Sequence, residues 1–287
     1  MTIHCPVKFT DWSRYLILTY NTSLQVYTTE DSLLVRRITL PVAQSDSGEY
    51  IISSVLSKES PEHVWVACTD GRIWYINWTT GTGVDTPLNI EKDILDMDVQ
   101  SMEIGDGTKD VLLILQVCDS SAAQLMAYDD EDLSTKKGTL LHTFEETPSI
   151  IRSVVNGRVV VAASGSVLHI GLLKHKKKAP DAPELEYRFY SFGVPDIVAC
   201  LDIQPTVRTT KKGATEIQQV DVVIGGARGG IYLYSDLVGK LTVEEHGALK
   251  AAPIQPRKYH WHRKAVHSVK WSADGMISFP PVSECAF

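Results

Sequence analysis

The sequence predicts an all-β chain folded as a β-propeller, with about five four-stranded blades and the start of a sixth. Three observations predict it. Helical periodicity is almost absent, and short runs of Val, Ile, Leu and aromatic residues alternate with Gly, Asp, Ser, Thr and Pro. One strand–turn–strand unit recurs along the chain. Its spacing is close to the roughly 40–50 residues of propeller repeats.

The first unit pairs residues 15–20 with 24–27 across a turn at Asn21-Thr22, and the second pairs 64–68 with 73–77 across Thr69-Asp70-Gly71. The third joins 111–115 to 125–129 through a longer turn, and the fourth joins 159–163 to 167–170 across Ser164-Gly165-Ser166. The fifth joins 220–224 to 231–234 through the Gly-rich run 225–230. Aligned on Tyr27, Ile76, Tyr128, Ile170 and Tyr234, the units step by 49, 52, 42 and 64 residues, and a loop over 205–217 absorbs the largest excess. Outer strands are expected at 34–40, 139–144 and 186–192, and innermost strands at 51–56, 94–102, 150–155 and 197–203. Nearly continuous apolar central strands suit a blade packed on both faces; a β-sandwich would not explain the period.

The C-terminal stretch is the most specific. His262 is followed by Val266-His267-Ser268-Val269-Lys270-Trp271-Ser272 and then Asp274-Gly275. That order is the signature between WD repeats: a His closing one blade, V-x-x-V-x-[WF]-S opening the next, and an Asp-Gly turn. Pro280 and Pro281 then stand where a central strand is required, and each removes a ladder hydrogen bond. The sequence therefore predicts an incomplete propeller over 1–275 and a non-repeat tail over 276–287. An open end leaves strand edges in water, so the expectation is docking on a partner or, preferably, truncation of a longer chain.

The chain has 287 residues, 28 Lys+Arg against 35 Asp+Glu, and a net charge of −7, which argues against coating nucleic acid through net charge. Five single cysteines, an odd number without a CxxC pair, suit a reducing compartment and offer no disulfide framework or zinc site. The longest apolar runs fall far short of the roughly 18 residues of a membrane helix, and residues 1–9 lack a signal-peptide core. A soluble intracellular protein without membrane or small-molecule partner is expected.

Candidate chemistry is sparse. His260, His262 and His267 read as turn and blade-joining residues, since no Cys, Asp or Glu completes a metal site around them. The run Gly225-Gly226-Ala227-Arg228-Gly229-Gly230 precedes a strand, not the helix a phosphate loop requires, and reads as a hairpin turn. Lys174, Lys176, Lys177 and Lys178, with Arg208, Lys211 and Lys212 of the fifth-blade loop, are candidates for RNA-backbone contacts or nuclear import. The plainer reading is solvated loops at a propeller rim, and no aromatic platform flanks the run. No serine sits in a G-x-S-x-G elbow, so neither enzyme nor cofactor is expected.

Tyr259-His260-Trp261-His262, followed by Ala265-Val266-His267-Ser268-Val269, resembles the L-H-W-H-x-x-x-V segment of one WD-repeat family. That family comprises the double-propeller subunits of the UTP-A (t-UTP) subcomplex of the small-subunit processome, the WD repeat-containing protein 75 and Nan-one family. Residues 9–38, 64–77 and 148–178 resemble its first, second and fourth blades, and the whole would match about its first third. The resemblance implies a non-enzymatic nucleolar scaffold for early pre-18S rRNA processing, coupled to RNA polymerase I transcription. Its implied partners are other UTP-A subunits, both WD-repeat and helical, and the 5′ external transcribed spacer of pre-rRNA. Structural WD positions then fall on Asp70, Gly71, Asp129, His262, Asp274 and Gly275. The Trp-Asp dipeptide is kept nowhere, and only Asp129 retains a carboxylate able to bond a structural His. A WD-repeat adaptor of another assembly, such as a ubiquitin ligase or coat, is the alternative.

Overall fold

The structure, a computed structural model, describes residues 7–9, 14–42, 50–104, 107–119, 122–174, 185–210, 215–245, 254–261, 263–272, 275 and 277–278. The chain forms two compact units, Met1–Ile151 with Lys176–Tyr187, and Arg152–His175 with Arg188–Phe287. Five four-stranded antiparallel sheets are described, each built from strands consecutive in the chain. The first holds β1 (Val7–Phe9), β2 (Tyr15–Thr19), β3 (Ser23–Thr28) and β4 (Leu34–Thr39). The second holds β5 (Ile51–Leu56), β6 (His63–Cys68), β7 (Arg72–Asn77) and β8 (Leu88–Asn89). The third holds β9 (Ile94–Ile104), β10 (Gly107–Asp119), β11 (Ala122–Tyr128) and β12 (Thr139–Phe144), with helix α1 (Asp130–Thr135) before its last strand. The fourth holds β13 (Ile150–Val154), β14 (Val159–Ser164), β15 (Val167–Leu173) and β16 (Tyr187–Gly193). The fifth holds β17 (Val198–Thr209), β18 (Thr215–Gly226), β19 (Gly230–Tyr234) and β20 (Arg257–Trp261), with helix α2 (Leu237–Glu245) between the last two. A two-stranded sheet of β21 (Lys270–Trp271) and β22 (Ile277–Ser278) follows.

The expected strands and their order agree with this architecture, including the started sixth blade. Lys270 pairs with Ser278 and Trp271 with Ile277, so the boundary drawn after Gly275 falls inside this small hairpin. Two differences stand out. Of the residues 205–217 expected as a loop, 205–209 and 215–217 are strand: β17 and β18 stay paired out to Thr209 and Thr215. Thr206, Val207, Thr209, Thr215 and Ile217 are β-branched and favour the pleated chain over an irregular excursion. The two short helices were also not expected. In α1, Asp129 and Asp132 supply an N-cap pattern too short to register as periodicity.

Central strands bury alternate residues in opposite clusters. In the first unit, Val64, Val66, Cys68, Trp74 and Ile76 of the second sheet pack with Ile17, Leu24, Val26 and Ile38 of the first. Trp65, Ala67 and Ile73 pack instead with Ile94, Met97, Val99, Leu112 and Ile114 of the third. With both faces dry, the polar half of a simple alternation is lost, which is why β14 is buried at all six positions. In the second unit Val223 and Ile231 pack with Val266 and Val269, carrying the fifth blade's core onto the start of the sixth.

Bulges recur at matching places. On innermost strands, Ile52, Leu95 and Ala199 each stand without a Cα partner in the register. On outermost strands the unopposed residues are Val35, Leu141 and Tyr259. An extra residue bends and twists a strand locally, so the repeat keeps its curvature where its side chains have diverged.

Buried polar groups tie blade to blade inside the first unit. Asp110 on β10 accepts the N–H groups of Lys58 and Glu59, in the β5–β6 loop, at 2.9 and 3.2 Å and the Trp65 indole N–H of β6 at 3.0 Å. Asp96 accepts the Ile151 N–H at 3.0 Å, Ser53 Oγ donates to the Met97 carbonyl at 3.1 Å, and the Thr19 and Ser54 hydroxyls meet at 2.6 Å.

Asp110→Ala strands three donors in a buried site, and its urea unfolding midpoint should fall by the equivalent of about 2–4 kcal/mol. An unchanged midpoint would show that water replaces the carboxylate. Gly71 turns at φ +91° with an added Cβ only 2.6 Å from the Lys92 carbonyl oxygen, whereas Gly165, φ +51°, has open space. Gly71→Ala should therefore lose at least about 2 kcal/mol and Gly165→Ala about 1–2 kcal/mol, compared by thermal melts. Equal losses would mean that backbone conformation alone sets the cost.

Candidate functional site

Of the six lysines singled out in the sequence, Lys174 is exposed just after β15, while Lys176, Lys177, Lys178, Lys211 and Lys212 lie outside the described residues. The β17–β18 hairpin leads toward two of them. Its end is polar and exposed at Thr206, Arg208 and Thr209, with Val207 also exposed. Arg208 stands opposite Glu216 in the register, so the hairpin is less cationic than Arg208 and its lysines suggest alone.

The structural WD positions divide. Asp70 turns the β6–β7 hairpin, accepting from Arg72 N–H at 3.2 Å and from Arg72 Nε at 2.5 Å. Arg72 also donates to the Pro41 carbonyl at 2.9 Å, anchoring the turn to the segment from the preceding blade. Gly71 donates to the Cys68 carbonyl at 3.2 Å and accepts from Ile90 at 3.1 Å. Asp129 lies at the start of α1. Its carboxylate caps α1 by accepting the Asp132 N–H at 2.8 Å and lies 3.7 Å from Lys109 Nζ, as an Asp at a helix start is placed to do. Gly275 adopts φ +79° and donates to the Ser272 carbonyl at 3.0 Å. His262 and Asp274 lie outside the described residues.

The Gly-rich run is a hairpin turn between β18 and β19. Gly229 takes φ +87° and donates to the Gly226 carbonyl at 3.0 Å. Asp196, 2% exposed, holds this turn: it accepts from Arg228 N at 3.2 Å and Arg228 Nε at 3.1 Å, while Arg228 also reaches the Pro195 carbonyl at 2.5 Å. A Cβ on Gly226 would lie 2.2 Å from the Asp196 carboxylate, so the glycine makes room for an acid and not for a phosphate. Asp202 on β17 repeats the device toward the sixth blade. It accepts the Trp271 N–H at 2.9 Å and pairs with Lys270 Nζ at 3.1 Å. These aspartates escaped sequence reasoning, which looked for acids after aromatic residues. Their signal was an isolated Asp at the edge of, or inside, an apolar strand.

Burial pushes the Cys200 thiol up to about 11, and its Sγ donates to the Val266 carbonyl at 3.0 Å, so it stays a thiol at neutral pH. Cys68 is fully buried and is pushed up for the same reason. Among the described residues no group of three or more His, Cys, Asp or Glu is placed to hold a metal ion, and no helix is long and apolar enough to cross a membrane. What the described surface offers is exposed edges. Leu33, Leu34 and Val35 stand exposed at β4, Leu140 on β12, and Tyr259 on β20.

No protein-family model matches the chain, and no curated protein matches its sequence. Among solved structures the chain is similar to BBS1N, crystallised in complex with ARL6DN and soaked with mercury. That likeness has a TM-score of 0.52 and 13% identity, covering 91% of this chain and 68% of that one. The lead-soaked form gives 0.53 and 12%, covering 94% and 72%. The β-propeller domain of Cps50 (Swd1) from Myceliophteria thermophila is similar at a TM-score of 0.45 and 10% identity, covering 82% and 84%. At these identities likeness to BBS1N speaks to the fold alone. Together with five four-stranded antiparallel sheets in chain order and the two-stranded sheet that follows them, it identifies a β-propeller fold with five described blades and the start of a sixth.

Proposed function

We propose that this chain is a non-enzymatic scaffold of the small-subunit processome, a UTP-A subunit acting in early nucleolar pre-18S rRNA processing and in the coupled RNA polymerase I transcription. A propeller serves generally as a scaffold or adaptor, because rigid blades hold loops and outer edges where several partners dock at once. The carrying observation is that β4, β12 and β20 each end a sheet and pair on one side only among the described residues, with Leu34, Val35, Leu140 and Tyr259 exposed. The narrower assignment rests on the Tyr259–Val269 resemblance, whose residues form the outer strand of the fifth blade and the segment that packs Val266 and Val269 against it. Its partners are other UTP-A subunits, both WD-repeat and helical, with the 5′ external transcribed spacer, in the nucleolus.

A second reading, an adaptor in a different protein assembly, draws on BBS1N having been crystallised in complex with ARL6DN. Affinity purification of the tagged endogenous protein, with mass spectrometry and sequencing of bound RNA, separates the two. Enrichment of UTP-A subunits and of pre-rRNA leader sequence at least about tenfold over an untagged control is the expected result. Recovery of ligase, coat or other subunits without pre-rRNA overturns the processome assignment and leaves the scaffold.

A further inference from the structure

From His246 to Ala273 the chain contains no Asp or Glu, while six Lys or Arg and four of its nine His fall there. In a chain of net charge −7 this is a strong local inversion of sign. The structure gives that stretch a place. Strand β20 is the outermost strand of the fifth sheet, hydrogen-bonded to β19 on one side only. Arg257, Lys258 and Tyr259 on it are exposed, and so are Arg263 and Lys264 just beyond.

Tyr259 is the bulged residue. Ile231 stands opposite His260 and Tyr232 opposite Lys258, which leaves Tyr259 without a partner across the ladder. Bulges re-aim side chains, and Tyr259 is 54% exposed, unusual for so large an aromatic residue. Lys258 is held beside it, its Nζ 5.7 Å from the centroid of the Tyr232 ring. Two kinds of macromolecule fit a basic edge: an acidic peptide added as a further strand, or a single-stranded nucleic acid. The bulge decides between them. It interrupts the hydrogen-bonding row that an added strand would need, and the same bulge leaves an aromatic face in water between cations. Phosphates beside Arg and Lys, with a base stacked on an aromatic ring, is how single strands are held without sequence preference.

We propose that the outer edge of β20, with Arg257, Lys258 and Tyr259 and the following Arg263 and Lys264, binds single-stranded RNA. Tyr259 stacks a base and the four cations contact its phosphates. This deepens the scaffold reading above, on which it rests for the RNA being pre-ribosomal, and it moves the RNA contact from the lysine loops to the fifth blade's outer strand.

The test is fluorescence anisotropy of the purified full chain with a fluorescein-labelled single-stranded RNA of about 12 nucleotides, within the span one such module covers. The wild type is expected to bind, with affinity falling as salt rises. Tyr259→Ala should weaken binding about five- to hundred-fold and Tyr259→Phe should restore it, since only the ring is needed. Arg257→Glu with Lys258→Glu should abolish binding and flatten the salt dependence, while Lys174→Glu should leave both nearly unchanged. Matched circular-dichroism melts keep a loss of binding apart from a loss of fold. Absence of wild-type binding, equal affinity for Tyr259→Ala, or capture of a poly-glutamate peptide in preference to RNA each overturns the proposal. Binding here alongside ligase or coat subunits in the purification sinks the processome reading and leaves this surface. The converse pair of results does the reverse.

Discussion

Burial of the central strands on both faces is the constraint from which the rest of this structure follows. Val64, Val66 and Cys68 of β6 face one cluster while Trp65 and Ala67 face the other, so a single strand belongs to two cores at once. Neither core exists without the neighbouring blade. A lone four-stranded sheet of this composition would leave one apolar face in water, and transfer of that face, at about 25 cal/mol per Å², is what drives blade onto blade. The arrangement tolerates divergence in individual side chains because hydrophobic fit is non-directional. It does not tolerate a slip of register, since moving a strand by one residue would exchange its two cores.

Specificity of blade placement is supplied by a small set of acids, Asp96, Asp110 and Asp196 buried and Asp202 partly so. Asp96 and Asp202, on innermost strands, each accept a backbone N–H from the innermost strand that comes next, Ile151 and Trp271 respectively. Asp110 gathers three donors from the preceding blade, and Asp196 holds the hairpin turn of its own blade through Arg228. A carboxylate taken out of water is costly unless its oxygens are met by donors. Each of these is met, and the donors are largely main-chain groups that any sequence would supply. The Trp-Asp dipeptide can therefore be lost while blades remain joined. Trp65 makes the point: its indole bonds Asp110, an aromatic and an acid brought together from separate blades and not from adjacent positions.

Charge is distributed unevenly over this frame. The acids that join blades are buried or partly buried and are met by donors, whereas the cations of β20 are exposed on an outer edge. Net charge consequently describes the whole chain and conceals the character of individual surfaces. The recurring outer-strand bulge serves two ends here. At Val35 and Leu141 it breaks up an edge that would otherwise invite pairing, and at Tyr259 it also turns an aromatic ring toward solvent.

The sequence by itself determined the number, order and approximate bounds of the strands. Apolar runs and turn residues are local properties, and they repeat with the blade. It also marked the sixth blade's start, because Val266, Val269 and Trp271 keep a recognisable spacing. Tertiary structure alone decided three further things. Residues 205–209 and 215–217, loop-like in spacing, became paired strands because each found a partner within reach. Asp129 gained a helix-capping contact because the next turn of chain offered it an N–H group. Finally, Asp110 and Asp196 gained their roles, and Tyr259 its exposure, from residues 32 to 52 positions away or from a bulge in the ladder. No local pattern encodes such contacts, for they exist only once the hydrophobic faces have chosen their neighbours.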